Sequence, residues 1–173
     1  MLENTAIHLR ALEPEDLDFL FEIENLQKFW HLSDTLQPYS KKLLKDYISN
    51  AHLDIYEAKQ LRLVVSLSDH TPIGFIDLYD FNPQHKRAGL GIIIHEDYQS
   101  LGLGKSALKM MLNFAYNRLD LHQIYVYIHI ENQKSVSLFE NLNFQKVGEL
   151  KDWHYENGVY TSVLVYQNIR NVH

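Results

Sequence analysis

Cysteine is absent from the 173 residues, which removes disulfides, thiolate metal sites and a cysteine nucleophile from consideration and fits a reducing compartment. Glycine and proline are scarce, at 7 and 4, so collagen-like and low-complexity architectures are excluded. Positive charge is also short. Sixteen Lys plus Arg against 22 Asp plus Glu leave a net charge of −6, which argues against nucleic acid or an anionic membrane as partner and suits a small cation. No apolar run approaches the ~20 residues of a membrane span. The longest, counting glycine, is Ala88 to Ile94, and Met1-Leu2-Glu3-Asn4 shows neither the basic start nor the apolar core of an export signal. A cytoplasmic location is therefore expected. The 10 histidines are scattered, and His95-Glu96 is followed by Asp97-Tyr98-Gln99, without the second histidine of a zinc-protease helix, so no metal site is expected.

What remains is an ordinary globular balance, 46% apolar and 22% charged, in a length that predicts one domain over residues 1–173. No repeat or linker interrupts it. Ile7 to Leu12 reads as a strand, and Leu17, Leu20, Phe21 and Glu24 then follow a helical period behind Pro14. Ser40 can cap a second helix whose apolar face is Leu43, Leu44, Tyr47, Ile48 and Ala51. Arg62 to Ser66, Ile73 to Phe81 and Ala88 to Ile94 read as three strands joined by short turns, hence an antiparallel meander. A helix from Leu103 to Arg118 carries the stripe Ala107, Leu108, Met111, Phe114, Ala115. Gln123 to Ile130 is a β-branched and aromatic strand, and Asn132 can cap a helix bearing Val136, Phe139 and Leu142. Two final strands, Phe144 to Tyr155 and Val159 to Gln167, flank Asn157-Gly158, a type I′ hairpin signal. The expected fold class is mixed α/β.

Chemistry concentrates in Gln99-Ser100-Leu101-Gly102-Leu103-Gly104-Lys105-Ser106, a glycine-bearing turn between a strand and a long amphipathic helix. Glycine lets a backbone approach a ligand closely, and the first N–H groups of a helix, at its positive dipole end, favour a phosphate. A nucleotide-triphosphate P-loop is sharply disfavoured, because its first glycine would fall on Gln99. A dinucleotide fingerprint is disfavoured as well. Gly102-x-Gly104-x-x-Ala107 lies mid-chain, separated from the strand ending at Ile94 and followed by an antiparallel hairpin.

With Gln99-x-x-Gly102-x-Gly104, Glu131-Asn132-Gln133-Lys134-Ser135 and Leu142-Asn143-Phe144, the sequence resembles the GNAT superfamily of acyl-CoA-dependent N-acetyltransferases. Its motifs there are Q/R-x-x-G-x-G/A, E-N-x-x-S/A and L-G-F, and the likeness runs over nearly the whole chain. Asn82, Lys86 and the hairpin tail look like the branch of spermidine and ribosomal-protein N-terminal acetyltransferases. The resemblance implies the GNAT-type acyl-CoA N-acyltransferase fold: a mostly antiparallel central sheet, helices on both faces, and a splay between the fourth and fifth strands. It implies acetyl transfer from acetyl-CoA, as co-substrate and without a metal, to a primary amine such as a polyamine or a protein N-terminus. It leaves room for a homo-oligomer.

Residue by residue, the resemblance puts the cofactor diphosphate on the backbone N–H groups of Leu101, Gly102, Leu103, Gly104, Lys105 and Ser106, with Gln99 nearby. The pantetheine arm would lie along Ile92, Ile93 and Ile94 like an added strand, touching Asn132. The family's tyrosine acid falls on Phe139, which has no exchangeable proton, so Ser135 or a water takes over protonation of the thiolate. Without that acid the chain could instead be a CoA-binding regulatory module with little turnover. Asp77, Tyr79, Glu96, Tyr127 and His129 are the candidates to accept the amine's proton, with Tyr127 and His129 in front. Acceptor recognition is expected from Phe29-Trp30-His31-Leu32-Ser33-Asp34 and from Trp153-His154-Tyr155-Glu156, where aromatic and acidic side chains interleave.

Overall fold

Two residue periods, 2.0 for strands and 3.6 for helices, account for nearly all of the architecture. The computed structural model describes residues 2–3, 6–27 and 37–170. The chain divides into two compact units, Met1–Asp77 with Ile92–Met110, and Leu78–Gly91 with Met111–His173.

In the first unit β1 (Leu2–Glu3) pairs antiparallel with β2 (Ile7–Arg10), and β2 pairs antiparallel with β3 (Leu61–Leu67) in the register Ile7↔Leu67 to Arg10↔Val64. A 3-10 turn at Pro14–Asp16 leads into α1 (Leu17–Asn25). The turn is fixed by Asp16, a buried carboxylate that accepts two bonds of 2.8 Å from Arg10 and one of 2.9 Å from the Glu13 N–H. α2 (Lys41–Ser49) begins where the Ser40 hydroxyl accepts the Leu43 N–H at 3.1 Å. Its buried stripe is narrower than the sequence suggests. Leu44 and Ile48 are buried while Leu43 is 52% exposed, because the helix lies against its neighbours along a single seam. A short α3 (Ile55–Ala58), capped by Asp54, was not expected from periodicity, which four residues are too few to show. Leu20 and Ile23 of α1 and Leu44 and Ile48 of α2 pack with Val64 of β3 and with Phe75 of β4 (Pro72–Asn82). Ile93 of β5 (Arg87–Ile94) joins that cluster. Strands β4 and β5 pass through both units, and the order in the first is β1-β2-β3-β4.

In the second unit the order is β4-β5-β6-β8-β7, with β6 at Gln123–His129, β7 at Gln145–Glu156 and β8 at Val159–Ile169. β5 and β6 are parallel, and their ladder runs only from Arg87↔Gln123 to Gly89↔Tyr125, while β6 pairs antiparallel with β8 along its full length. Their pairing is thus confined to the first three residues of each strand, in a sheet that is otherwise mostly antiparallel. α4 (Leu103–Asn117) buries Ala107, Leu108, Met111 and Ala115 of its predicted stripe completely, while Phe114 at the stripe's edge is only half-buried. α5 (Gln133–Glu140) follows β6. Along β6, Ile124, Val126 and Ile128 are buried, whereas Gln123, Tyr125, Tyr127 and His129 occupy the opposite, more open face. Asn157 (φ 50°) and Gly158 (φ 82°) form the anticipated I′ turn between β7 and β8. Among the described residues no helix is long and apolar enough to cross a membrane.

Candidate active site

The site starts from a close approach of backbones. A Cβ on Gly74 would lie 2.1 Å from the Ile93 carbonyl oxygen, so only glycine lets β4 press against the end of β5. The His95 N–H then donates to the Ile73 carbonyl at 2.8 Å, the last tie before the chain turns away. A 3-10 turn at Glu96–Tyr98 follows, closed by Tyr98 N–H to His95 O (2.9 Å) and Gln99 N–H to Glu96 O (3.2 Å). The Gln99 side chain folds back and donates to the Ile94 carbonyl at 2.8 Å. Gln99 therefore braces the base of the loop.

Beyond it the backbone is left-handed twice, at Ser100 (φ 62°) and Gly102 (φ 78°), on either side of Leu101, which is 65% exposed. Alternation of this kind turns successive N–H groups toward one concavity. α4 opens directly afterwards, and its first ladder bond runs from the Ser106 N–H to the Gly102 carbonyl at 3.1 Å. Within the helix, then, the N–H groups of Leu103, Gly104 and Lys105 meet no carbonyl, and the dipole of a 15-residue helix adds a partial positive charge there. Ser106 retains its hydroxyl for a ligand, since its N–H belongs to the ladder. The two glycines differ. Around a Cβ on Gly102 nothing lies within 4 Å, whereas one on Gly104 would touch Ile94 Cγ1 at 3.6 Å and Ile92 Cδ1 at 4.0 Å. Ile92 and Ile94 thus face α4 while Ile93 faces α1 and α2, leaving backbone groups rather than side chains for a ligand along this strand.

Tyr127, His129, Asn132 and Ser135 belong to the second unit. Tyr127 is 51% exposed, sits edge-on to Tyr125 at 5.6 Å, and lines a hollow of about 280 Å³ with Tyr125, Arg87, Gln123, Val165 and Gln167. Burial, with Asp80 adding to it, pushes the Tyr125 phenol up to about 12. His129 is held at both ring nitrogens: Nε2 lies 2.8 Å from Thr161 Oγ1, and the Glu131 N–H donates to Nδ1 at 3.4 Å. That pattern places the proton on Nε2, which donates to Thr161 Oγ1. Asn132 Oδ1 accepts the Ser135 N–H at 3.1 Å, capping α5 and leaving its Nδ2 donor for other work. Ser135 is half-buried in the first turn of that helix. Phe139 is buried edge-on against Phe144 at 5.1 Å, a packing role with no proton to give.

Two of the candidate proton acceptors, Asp77 and Tyr79, have neighbours that the local sequence does not show. Both carboxylate oxygens of Asp77 are engaged by one guanidinium: Arg62 Nε donates to its Oδ1 at 2.7 Å and Arg62 Nη2 to its Oδ2 at 3.0 Å. Glu24 of α1 accepts the remaining fork of Arg62. Burial works against the guanidinium charge, but Asp77 and Glu24 outweigh it and raise Arg62 above the ordinary arginine value. The Tyr79 ring covers the backbone of Gly89, where a Cβ would come within 2.2 Å of it. Of the acceptor segments, Phe29 to Asp34 lies outside the described residues. Trp153 and Tyr155 are 62% and 65% exposed on the far end of β7, and Tyr155 packs on Tyr160 at 4.7 Å.

Residues 6–145 match a family model described as the acetyltransferase (GNAT) domain. Over 163 residues the chain is 30% identical to the spermidine N(1)-acetyltransferase of Vibrio cholerae, spanning 92% of this chain and 91% of that protein. It is 24% identical over 176 residues to a putative ribosomal N-acetyltransferase of Bacillus subtilis, spanning 96% and 93%. The crystal structure of the Vibrio cholerae spermidine N-acetyltransferase in complex with CoA and spermine superposes with a TM-score of 0.86 at 29% identity, covering 96% of each chain.

Proposed function

Since this chain belongs to the acetyltransferase (GNAT) domain family of acetyl-CoA-dependent N-acetyltransferases, we propose that it acetylates a small polyamine of the spermidine class, ahead of a protein N-terminus. The observation carrying the site assignment is the strand–turn–helix at residues 92–106. There two left-handed residues and the opening turn of α4 direct main-chain N–H groups outward with no side chain over Gly102. That concavity fits a diphosphate, which needs several N–H donors and room for oxygens. The polyamine preference draws on the spermidine N(1)-acetyltransferase relative and on a net charge of −6, which favours cationic acceptors.

In this reading the N–H groups of Leu101, Gly102, Leu103, Gly104 and Lys105 hold the diphosphate, joined by the Ser106 hydroxyl. The main chain of Ile92, Ile93 and Ile94 takes the pantetheine amides, and the N–H of Ile93 or Ile94 stabilises the oxyanion that develops on the thioester carbonyl. Asn132 Nδ2 donates to the same arm. The neutral amine attacks directly: a C–N bond forms, the C–S bond breaks, the ammonium proton leaves by way of Tyr127 or His129, directly or through water, and the thiolate takes a proton from Ser135 or water. Thiolates leave readily, so replacement of the family's acid by Phe139 slows the step rather than forbidding it.

Free-thiol release from acetyl-CoA, measured with spermidine, spermine, amino acids and short peptides, tests this. Amine-dependent turnover favouring the polyamines is the expected result. Phe139 also motivates a second reading, a CoA-binding regulatory module, which saturable CoA binding with no amine-dependent turnover would favour. Ser135→Ala is expected to lower kcat about tenfold with little change in KM for acetyl-CoA, the signature of a group acting in the transition state. An unchanged kcat would remove Ser135 from the mechanism.

A further inference from the structure

We propose that His95 is a positioning residue for the diphosphate loop, and that protonation of its ring undoes the turn on which the loop stands and weakens CoA binding. The inference rests on reading residues 99–106 as the diphosphate site. His95 stands between α1 and that loop with its side chain only 16% exposed. Its Nδ1 accepts the Asp97 N–H at 3.3 Å, which caps the 3-10 turn at Glu96–Tyr98, and its Nε2 lies 3.5 Å from Glu22 Oε1 on α1. Its main-chain N–H is tied to Ile73 of β4, and its ring is flanked by Phe19 at 6.4 Å and Tyr98 at 6.3 Å. The imidazole thus joins helix α1 to the first turn of the loop, while the main chain of the same residue ties that turn to β4.

The cap requires a neutral ring. Asp97 donates to Nδ1, so the neutral ring carries its proton on Nε2, where it faces Glu22. A second proton must go to Nδ1, which then opposes the Asp97 N–H and can no longer cap the turn. The ring gains the Asp97 carboxylate instead, whose Oδ2 is 3.5 Å from Nδ1. The groups facing His95 are therefore Glu22 from α1, Asp97 and the Tyr98 phenol from the turn, and Glu96 next in sequence; Phe19 and Ile73 bring no charge. Two carboxylates against one imidazolium leave no net positive field to compensate the diphosphate for a loosened loop. The turn runs directly into Gln99, whose bond to Ile94 sets the loop's base, so losing the cap disturbs the N–H groups beyond it.

Two variants separate cap from charge. Asparagine at this position accepts an N–H two residues on, as in an Asx turn, but never titrates; alanine does neither. The test is calorimetric titration with CoA of the wild-type chain, His95→Asn and His95→Ala at about pH 8 and about pH 5.5, on either side of the ordinary histidine range. At about pH 8, His95→Asn should bind within about twofold of wild type and His95→Ala about three- to tenfold more weakly, the worth of one hydrogen bond. On acidification the wild type should lose about three- to tenfold more affinity than His95→Asn, protonation of the CoA phosphates being common to both. Wild type that binds CoA with the same pH slope as His95→Asn overturns the proposal, as does full affinity of His95→Ala at the higher pH. Wild type that fails to bind CoA at either pH overturns the diphosphate reading, and this proposal with it.

Discussion

Gly102→Val should cut CoA affinity by at least about tenfold while the chain still folds. Two effects act together. A φ of 78° lies where a side chain costs roughly 1–2 kcal/mol, more for a β-branched one, so the loop relaxes out of the shape that gathers its N–H groups. The added atoms also stand in the space that is open around Gly102, which is where a diphosphate approaches. Gly104→Ala is the matched control. Its methyl would meet Ile94 and Ile92 at ordinary contact distances, and alanine suits a helix better than glycine, so binding should stay within about threefold of wild type. Calorimetry with CoA, alongside thermal melting to exclude unfolding, reads both. Equal affinity of Gly102→Val and wild type would remove the loop backbone from the site.

The largest stability effect is expected from Arg62→Met. The guanidinium lies between Asp77 and Glu24, whose side chains are only 24% and 12% exposed, and over the rings of Phe75 at 5.5 Å and Tyr47 at 5.8 Å. Methionine keeps much of the volume but removes the cation that the two shielded carboxylates share. Breaking a buried pair from one side typically costs about 3–5 kcal/mol, because the orphaned charge is not resolvated. For a chain of this length that corresponds to a fall in Tm of about 10 °C. The deficit should narrow in acid, where the carboxylates can take up protons, and should be partly repaired by combining Arg62→Met with Asp77→Asn. Calorimetric melting of the three proteins decides it. A loss under about 1 kcal/mol would mean the cluster is as solvated as a surface pair.

Both predictions concern residues whose importance was unequally visible beforehand. The glycine loop was legible because its signal is local. Gln99, Gly102 and Gly104 stand at fixed offsets just ahead of a helix, and every donor involved belongs to the same eight-residue stretch. Arg62 and Glu24 gave no such signal, since a charged residue on a strand or a helix reads as a solvated one until its neighbour is known. The partner of Asp77 was hidden for the same reason, and so was the narrow seam of α2 until its packing partners were fixed. His95 looked at first like half of a missing metal motif. Its actual work, as a cap, depends on Asp97 two residues on and on Glu22 seventy-three positions back, and only the second of those contacts is non-local.

The sequence by itself determined the alternation that makes β6 half open, the stripe that buries α4, the I′ turn at Asn157-Gly158 and the glycine turn ahead of α4. Each of these is written within about ten consecutive residues, the range over which backbone periodicity and turn chemistry act. The tertiary structure alone decided which polar groups are engaged: Arg62 with Asp77 and Glu24, 15 and 38 positions away, His129 with Thr161, 32 positions away, and Gln99 folded back on its own strand. Hydrogen-bonding capacity belongs to a residue type, but its partner is set by which elements the core brings side by side, and that is a property of the whole chain.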